Sequence, residues 1–161
     1  MEHYYLNRKY KDRLFRFIFS DKGNLLQLYN AINDSHYNNP DDLVITTIDD
    51  VVYMGMKNDL SFIIDDIMSL YEHQSTHSPN LPLRGLFYFS AMYRNYIEPM
   101  KQKLYTDSPL RIHFPVYLVF YNGSMEEPER KEIPLSDLFI QNGKGLQPAL
   151  ECTALLLNIN V

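Results

Sequence analysis

Three residues stand out for the chemistry their types and spacing permit: Asp59, Glu72 and Gln74, on either side of Asp65-Asp66. β-prone runs flank that pair, and Asp tolerates the left-handed turn conformation better than most residues. If Asp65-Asp66 is a hairpin tip, Ile64 faces Ile67, and the numbers of facing residues add to 131 along both arms. Asp59 then faces Glu72, and Lys57 faces Gln74. A four-residue loop centred on the same pair gives the same register, whereas a bulge would break it. Facing residues of an antiparallel pair lie on one side of the sheet with Cβ atoms about 4.5–5.5 Å apart. Two carboxylates at that separation repel unless a cation or a proton lies between them. Mg²⁺ is held by one or two carboxylates, keeps several waters and takes further oxygens from a phosphate. The pattern therefore suggests a hydrolytic metal site that activates water and clamps a substrate. The competing reading is a pair of solvated strand-end carboxylates, and spacing alone leaves both open.

The elements that must position these residues follow from hydrophobic periodicity. From Arg8 to about Ile32 the apolar residues recur at helical spacing, and Asp21-Lys22-Gly23-Asn24 divides the segment into two helices. Residues 33–42 form a polar loop. Leu43 to Ile48, Val51 to Met56 (with a continuation towards Ile64) and Ile67 to Gln74 read as strands. After a loop over 75–80, Pro82 opens a helix that runs to about Ile97, and Pro99 closes it. Its apolar residues cover most of the circumference, which predicts burial against the sheet. Phe114 to Tyr121 is an apolar strand ending on the turn signal Asn122-Gly123, and Leu150 to Ile159 is again strand-like. The order is α–β–β–β–α–β–(loop)–β, an α/β mixed sheet with helices packed on it.

A chain of 161 residues with 45% apolar and 14% aromatic residues fits one domain with a real core. The single cysteine, Cys152, excludes an internal disulfide and suits a reducing, cytoplasmic setting. The N-terminal stretch is too polar for a signal peptide, and no apolar run reaches membrane-spanning length. The net charge of −5 argues against gripping nucleic acid by bulk electrostatics, although carboxylates that hold metal make a chain look acidic.

Several motifs match a known family. Glu72-His73-Gln74-Ser75-Thr76, then Pro82-Leu83-Arg84 with Tyr88, then Phe120-Tyr121-Asn122-Gly123, together resemble the Rpn recombination-promoting nucleases, or putative transposases. Asp12-Arg13-Leu14-Phe15-Arg16 is similar to that family's opening helix, so the resemblance runs from about Asp12 to Gly123. It implies a restriction-endonuclease-like fold, with an α-β-β-β-α-β core, of the PD-(D/E)XK nuclease superfamily. The implied activity is Mg²⁺-dependent (or Mn²⁺-dependent) DNA endonuclease chemistry linked to recombination or mobile elements. The signature maps onto Asp59, Glu72 and Gln74, with Asp59 and Glu72 as metal ligands and Asn58 where the pattern name has Pro. Gln74 stands at the Lys position, as it does in this family. A neutral amide cannot shuttle a proton or place charge on a phosphate; it can orient water. Lys57 is a candidate for the missing cation. Members of the family extend beyond this length, and the chain ends on the apolar run Leu155 to Val161. Residues 1–161 are therefore expected to form one domain, C-terminally shortened relative to the family.

Other residues carry paired readings. Arg84 reaches either a phosphate or a salt bridge to Glu72 or Asp59. Asp12 is either a peripheral acidic residue of the site or a helix N-terminal charge. His73 and His77 are expected to be solvent-exposed rather than zinc ligands, with His73 facing away from Glu72 and Gln74. Tyr88, Tyr93 and Tyr96 read as core packing, Cys152 as a buried inert thiol, and Asp49-Asp50 as a turn. The expected partner is DNA, with a homodimer also considered. Two rivals stay open: a catalytically weak or silent nuclease-fold module that binds DNA or protein, and a nuclease of this fold that acts on RNA.

Overall fold

The computed structural model describes residues 2–46, 60–140 and 145–160, with the side chains of residues 2–9 and 12 outside that description. Helices α1 (Glu2–Phe19) and α2 (Lys22–Asn33) open the chain. The polar break between them is a cap: Asp21 accepts a hydrogen bond from the Asn24 amide at 2.9 Å, so the new helix begins at Lys22 and includes Gly23 and Asn24. Strands β1 (Val44–Ile45), β2 (Leu60–Ile64) and β3 (Ile67–Gln74) follow. Then come helix α3 (Leu81–Ile97), a 3₁₀ segment, and strands β4 (Phe114–Tyr121), β5 (Arg130–Pro134) and β6 (Thr153–Asn158).

The strands form one six-stranded mixed sheet in the order β1-β2-β3-β4-β6-β5. β1, β2 and β3 pair antiparallel; β3, β4 and β6 run parallel; β5 returns antiparallel on β6. A parallel pair needs a crossover, and α3 provides it between β3 and β4. Helices pack on both faces. On one, Phe15 of α1 and Leu25, Leu26 and Tyr29 of α2 meet Phe62, Tyr71 and Phe120. On the other, Leu81, Tyr88, Phe89 and Met92 of α3 meet Met68, Leu70, Val119 and Leu156. This is the mixed α/β architecture, sheet flanked by helices, that the sequence implied.

Several boundaries differ from expectation. The first strand is two residues, Val44–Ile45, and the segment read as a strand over Val51 to Met56 lies outside the described residues, as does Asp49-Asp50. The last strand starts at Thr153, because Glu151 and Cys152 belong to the turn onto it: Glu151 Oε1 accepts from the Leu135 amide at 2.8 Å. β5 was not foreseen. Its charged, Pro-ended sequence Arg-Lys-Glu-Ile-Pro suits an edge strand rather than a sheet centre, and a single apolar position in five gives little pattern to read.

The hairpin tip is as the residue types required. Ile64 pairs with Ile67, and Asp65 takes a positive φ of 48°. The Tyr37 hydroxyl donates to the Asp65 carboxylate, fastening the loop after α2 to the tip.

Candidate active site

The β2–β3 register runs from Ile64↔Ile67 to Leu60↔Tyr71, so all five pairs add to 131. Asp59 and Lys57 lie outside the described residues, and so does the side chain of Asp12.

β3 alternates its side chains between the two helical layers. Met68 and Leu70 enter the α3 layer and Tyr71 enters the α1–α2 layer. By that alternation Glu72 and Gln74 face α3, while His73 faces α1. The contacts agree. The His73 ring stacks on Phe15 of α1 with centroids 5.4 Å apart, while Glu72 meets Arg84 of α3 and Tyr117 of β4. His73 does turn away from Glu72 and Gln74, but it is not solvent-exposed: only 5% of its surface is accessible. α1 folds back over the end of β3, a long-range packing event that local sequence does not report.

Glu72 is a buried carboxylate, 1% exposed. Burying a charge is costly unless it is paired and hydrogen-bonded. Here Nη2 of Arg84 lies 3.3 Å from both Oε1 and Oε2. The Tyr117 hydroxyl donates to Oε2 at 3.1 Å, and the Gln74 amide donates to the same oxygen at 3.4 Å. Tyr117 Oη also lies 3.4 Å from the carbonyl of Leu81, the first residue of α3. The carboxylate thus sits close to the positive end of the α3 dipole. Burial, and then the charge of Glu72, push the Tyr117 phenol well above its ordinary range, so it stays a hydrogen-bond donor. Burial pulls the Arg84 pKa down, but the Glu72 charge and a hydrogen bond with the Tyr88 hydroxyl outweigh it, and the net shift is upward.

A glycine sets this geometry. A Cβ at Gly85 would lie 2.7 Å from Cδ1 of the Tyr117 ring and 3.2 Å from Cys152 Sγ. Without it, α3 settles closely on β4, and Arg84, one residue earlier, comes alongside Glu72. The two sequence readings of Arg84 thus resolve in part: it forms an ion pair with Glu72.

The rest of this sheet edge is tied together. A Cβ at Gly123 would lie 2.6 Å from the Ser75 carbonyl and against the Tyr121 ring, which explains a glycine after β4. The Asn122 amide donates to the Gln74 carbonyl at 3.1 Å, and Asn158 Nδ2 donates to the Glu127 carbonyl at 2.7 Å. Glu127 Oε2 lies 2.9 Å from Lys131, and Oε1 lies 2.8 Å from His77 Nδ1. His77 Nδ1 makes no aligned hydrogen bond to that oxygen despite the short separation. His77 and His73 share no position, since one meets Glu127 and the other packs under α1. Cys152 is half-buried just before β6, and burial, then the nearby Glu151 charge, push its thiol up to about 11.

Sequence reasoning missed two members of the network. Tyr117 looked like one apolar strand residue among several, because a parallel β3–β4 register cannot be read locally. Tyr88 was read as packing, and it is buried, but it also helps to raise the Arg84 pKa. Among the described residues, no group of three or more His, Cys, Asp or Glu side chains is placed to hold a metal ion. Among them, too, no helix is long and apolar enough to cross a membrane. No family model, curated protein or solved structure matches the chain.

Proposed function

We propose that the chain is a metal-dependent DNA endonuclease domain of the PD-(D/E)XK type, similar to the recombination-promoting nucleases and working on DNA in the cytoplasm. One observation carries the reading. A buried carboxylate, Glu72, stands at the carboxyl end of parallel strands with Gln74 on the same face and an arginine beside it. That edge is where open α/β sheets bind ligands.

The donor chemistry fits a hard divalent cation. Glu72 offers carboxylate oxygens, and Asp59, which lies outside the described residues, is the second ligand expected from the sequence pattern. Bound Mg²⁺ or Mn²⁺ would supply Lewis acidity and a more acidic water. The chain's own residues do the rest. Tyr117 fixes Oε2 of Glu72 and so aims the carboxylate. Gln74 orients a water through its amide without taking its proton. In the net reaction water adds to phosphorus, the P–O ester bond breaks with its electron pair on the sugar oxygen, and that oxygen is protonated.

A second reading has its own support. Glu72 is already paired with Arg84, and Gln74 is neutral, as a silent DNA- or protein-binding module would have them. One experiment separates the two. Supercoiled plasmid is incubated with wild type and Glu72→Gln in Mg²⁺ or Mn²⁺, with a structured RNA in parallel. Metal-dependent nicking by wild type and loss of at least about a hundredfold in the variant are expected. DNA left intact at every metal concentration would overturn the nuclease reading in favour of the silent module. Cleavage of RNA alone would move the substrate class.

A further inference from the structure

We propose that Arg84 is a two-position cation: it neutralises Glu72 in the metal-free protein and turns to the substrate phosphate when metal occupies the carboxylate. The inference rests on the nuclease reading and supplies the positive charge that Gln74 cannot.

Four observations carry it. First, the Arg84–Glu72 contact is loose. A single nitrogen, Nη2, sits 3.3 Å from both oxygens, whereas a forked arginine–carboxylate pair has two parallel bonds near 2.7–2.9 Å. The remaining N–H groups are not committed to the carboxylate. Second, exposure is unequal: the Glu72 side chain is 1% exposed and that of Arg84 is 30% exposed. The arginine therefore spans from the buried acid to solvent, where a nucleic-acid backbone would arrive.

Third, Glu72 is not orphaned by its departure. The Tyr117 hydroxyl donates to Oε2 at 3.1 Å, closer than the arginine, and the Gln74 amide lies 3.4 Å from the same oxygen, so the carboxylate keeps a neutral donor. Fourth, the Arg84 backbone amide is fixed to the Asn80 carbonyl at 3.1 Å in the first turn of α3, which holds the base of the side chain. The stem is held while the head can swing. A guanidinium and a divalent cation repel each other at one carboxylate, so metal occupancy favours the outward position. There the planar fork matches two phosphoryl oxygens.

A purely structural pair and a two-position cation differ in the sign of one measurable effect. If Arg84 only holds Glu72 for the metal, neutralising it weakens metal binding. If it competes with the metal, neutralising it strengthens binding. The test uses the full chain without DNA, Mn²⁺ titrated and free ion followed by electron paramagnetic resonance, for wild type, Arg84→Met and Arg84→Gln. The glutamine variant keeps a polar group on Glu72 and serves if the methionine variant does not fold. Plasmid nicking is then measured at saturating Mn²⁺.

The expected result is Mn²⁺ affinity raised about tenfold, the equivalent of one removed competing charge, in either neutral variant. Alongside it, kcat falls about a hundredfold or more, with a smaller change in KM. Weaker Mn²⁺ binding in the variants, or nicking at the wild-type rate, overturns the proposal while leaving the metal site standing. Wild type that neither binds Mn²⁺ nor cuts DNA overturns the nuclease reading, and this inference with it.

Discussion

Replacing Glu72 by alanine should destabilise the metal-free protein, and the sign distinguishes the observed site from a bare pair of facing carboxylates. On sequence grounds alone, removing one of two repelling acids leaves stability unchanged or slightly raised. The structure reverses that expectation. Glu72 is 1% exposed and receives Arg84, Tyr117 and Gln74. Its removal strips a half-buried guanidinium of its counter-charge and takes the nearest acceptor from a buried phenol. Breaking a fully buried ion pair costs about 3–5 kcal/mol. Arg84 is 30% exposed, and Tyr117 keeps the Leu81 carbonyl at 3.4 Å, so the loss is discounted to roughly 2–3 kcal/mol. At about 2–4 °C per kcal/mol for a chain of this size, the melting temperature falls by about 4–12 °C. Thermal unfolding of wild type and Glu72→Ala in excess chelator at pH 7 measures it. A variant that melts at or above the wild-type temperature would refute the idea that Arg84 and Tyr117 stabilise a buried carboxylate.

Two further predictions rest on Gly123, which follows β4 at that edge, and on Cys152, which precedes the amino end of β6. Gly123→Ala forces a methyl group against the Ser75 carbonyl and the Tyr121 ring, and should cost about 1–3 kcal/mol in urea unfolding; an unchanged midpoint would mean the loop relaxes freely. The Cys152 thiol titrates near 11 when folded and near 9 in the reference state, so its contribution to stability is full below about pH 9 and is lost as pH rises towards 11. Cys152→Ser should therefore lose less stability than wild type between pH 9 and 11. In the native protein at pH 8, iodoacetamide should modify Cys152 much more slowly than it modifies the urea-unfolded chain.

The local pattern determined more of this protein than its boundaries suggest. Asp65-Asp66 between β-prone arms fixed the hairpin and its register, because a two-residue side-chain period and one tolerant turn position leave few alternatives. β4 was legible to the residue, since eight apolar or aromatic residues end on Asn-Gly. α3 was legible from Pro82 and its buried apolar positions. The face shared by Glu72 and Gln74, with His73 opposite, followed from the same alternation. What the sequence did not contain was which elements close on that face. Tyr117 reaches Glu72 because β4 lies parallel to β3 with Glu72 beside Val119, a pairing made through a crossover of about forty residues. Arg84 reaches it because Gly85 lets α3 settle onto Tyr117, and His73 is buried because α1 returns over β3. Short-range periodicity specifies where a side chain points; only the packing of distant elements decides what it meets there. For Glu72 that packing supplies Arg84 as an ion-pair partner and Tyr117 as a donor, and those two contacts govern what its removal does to stability.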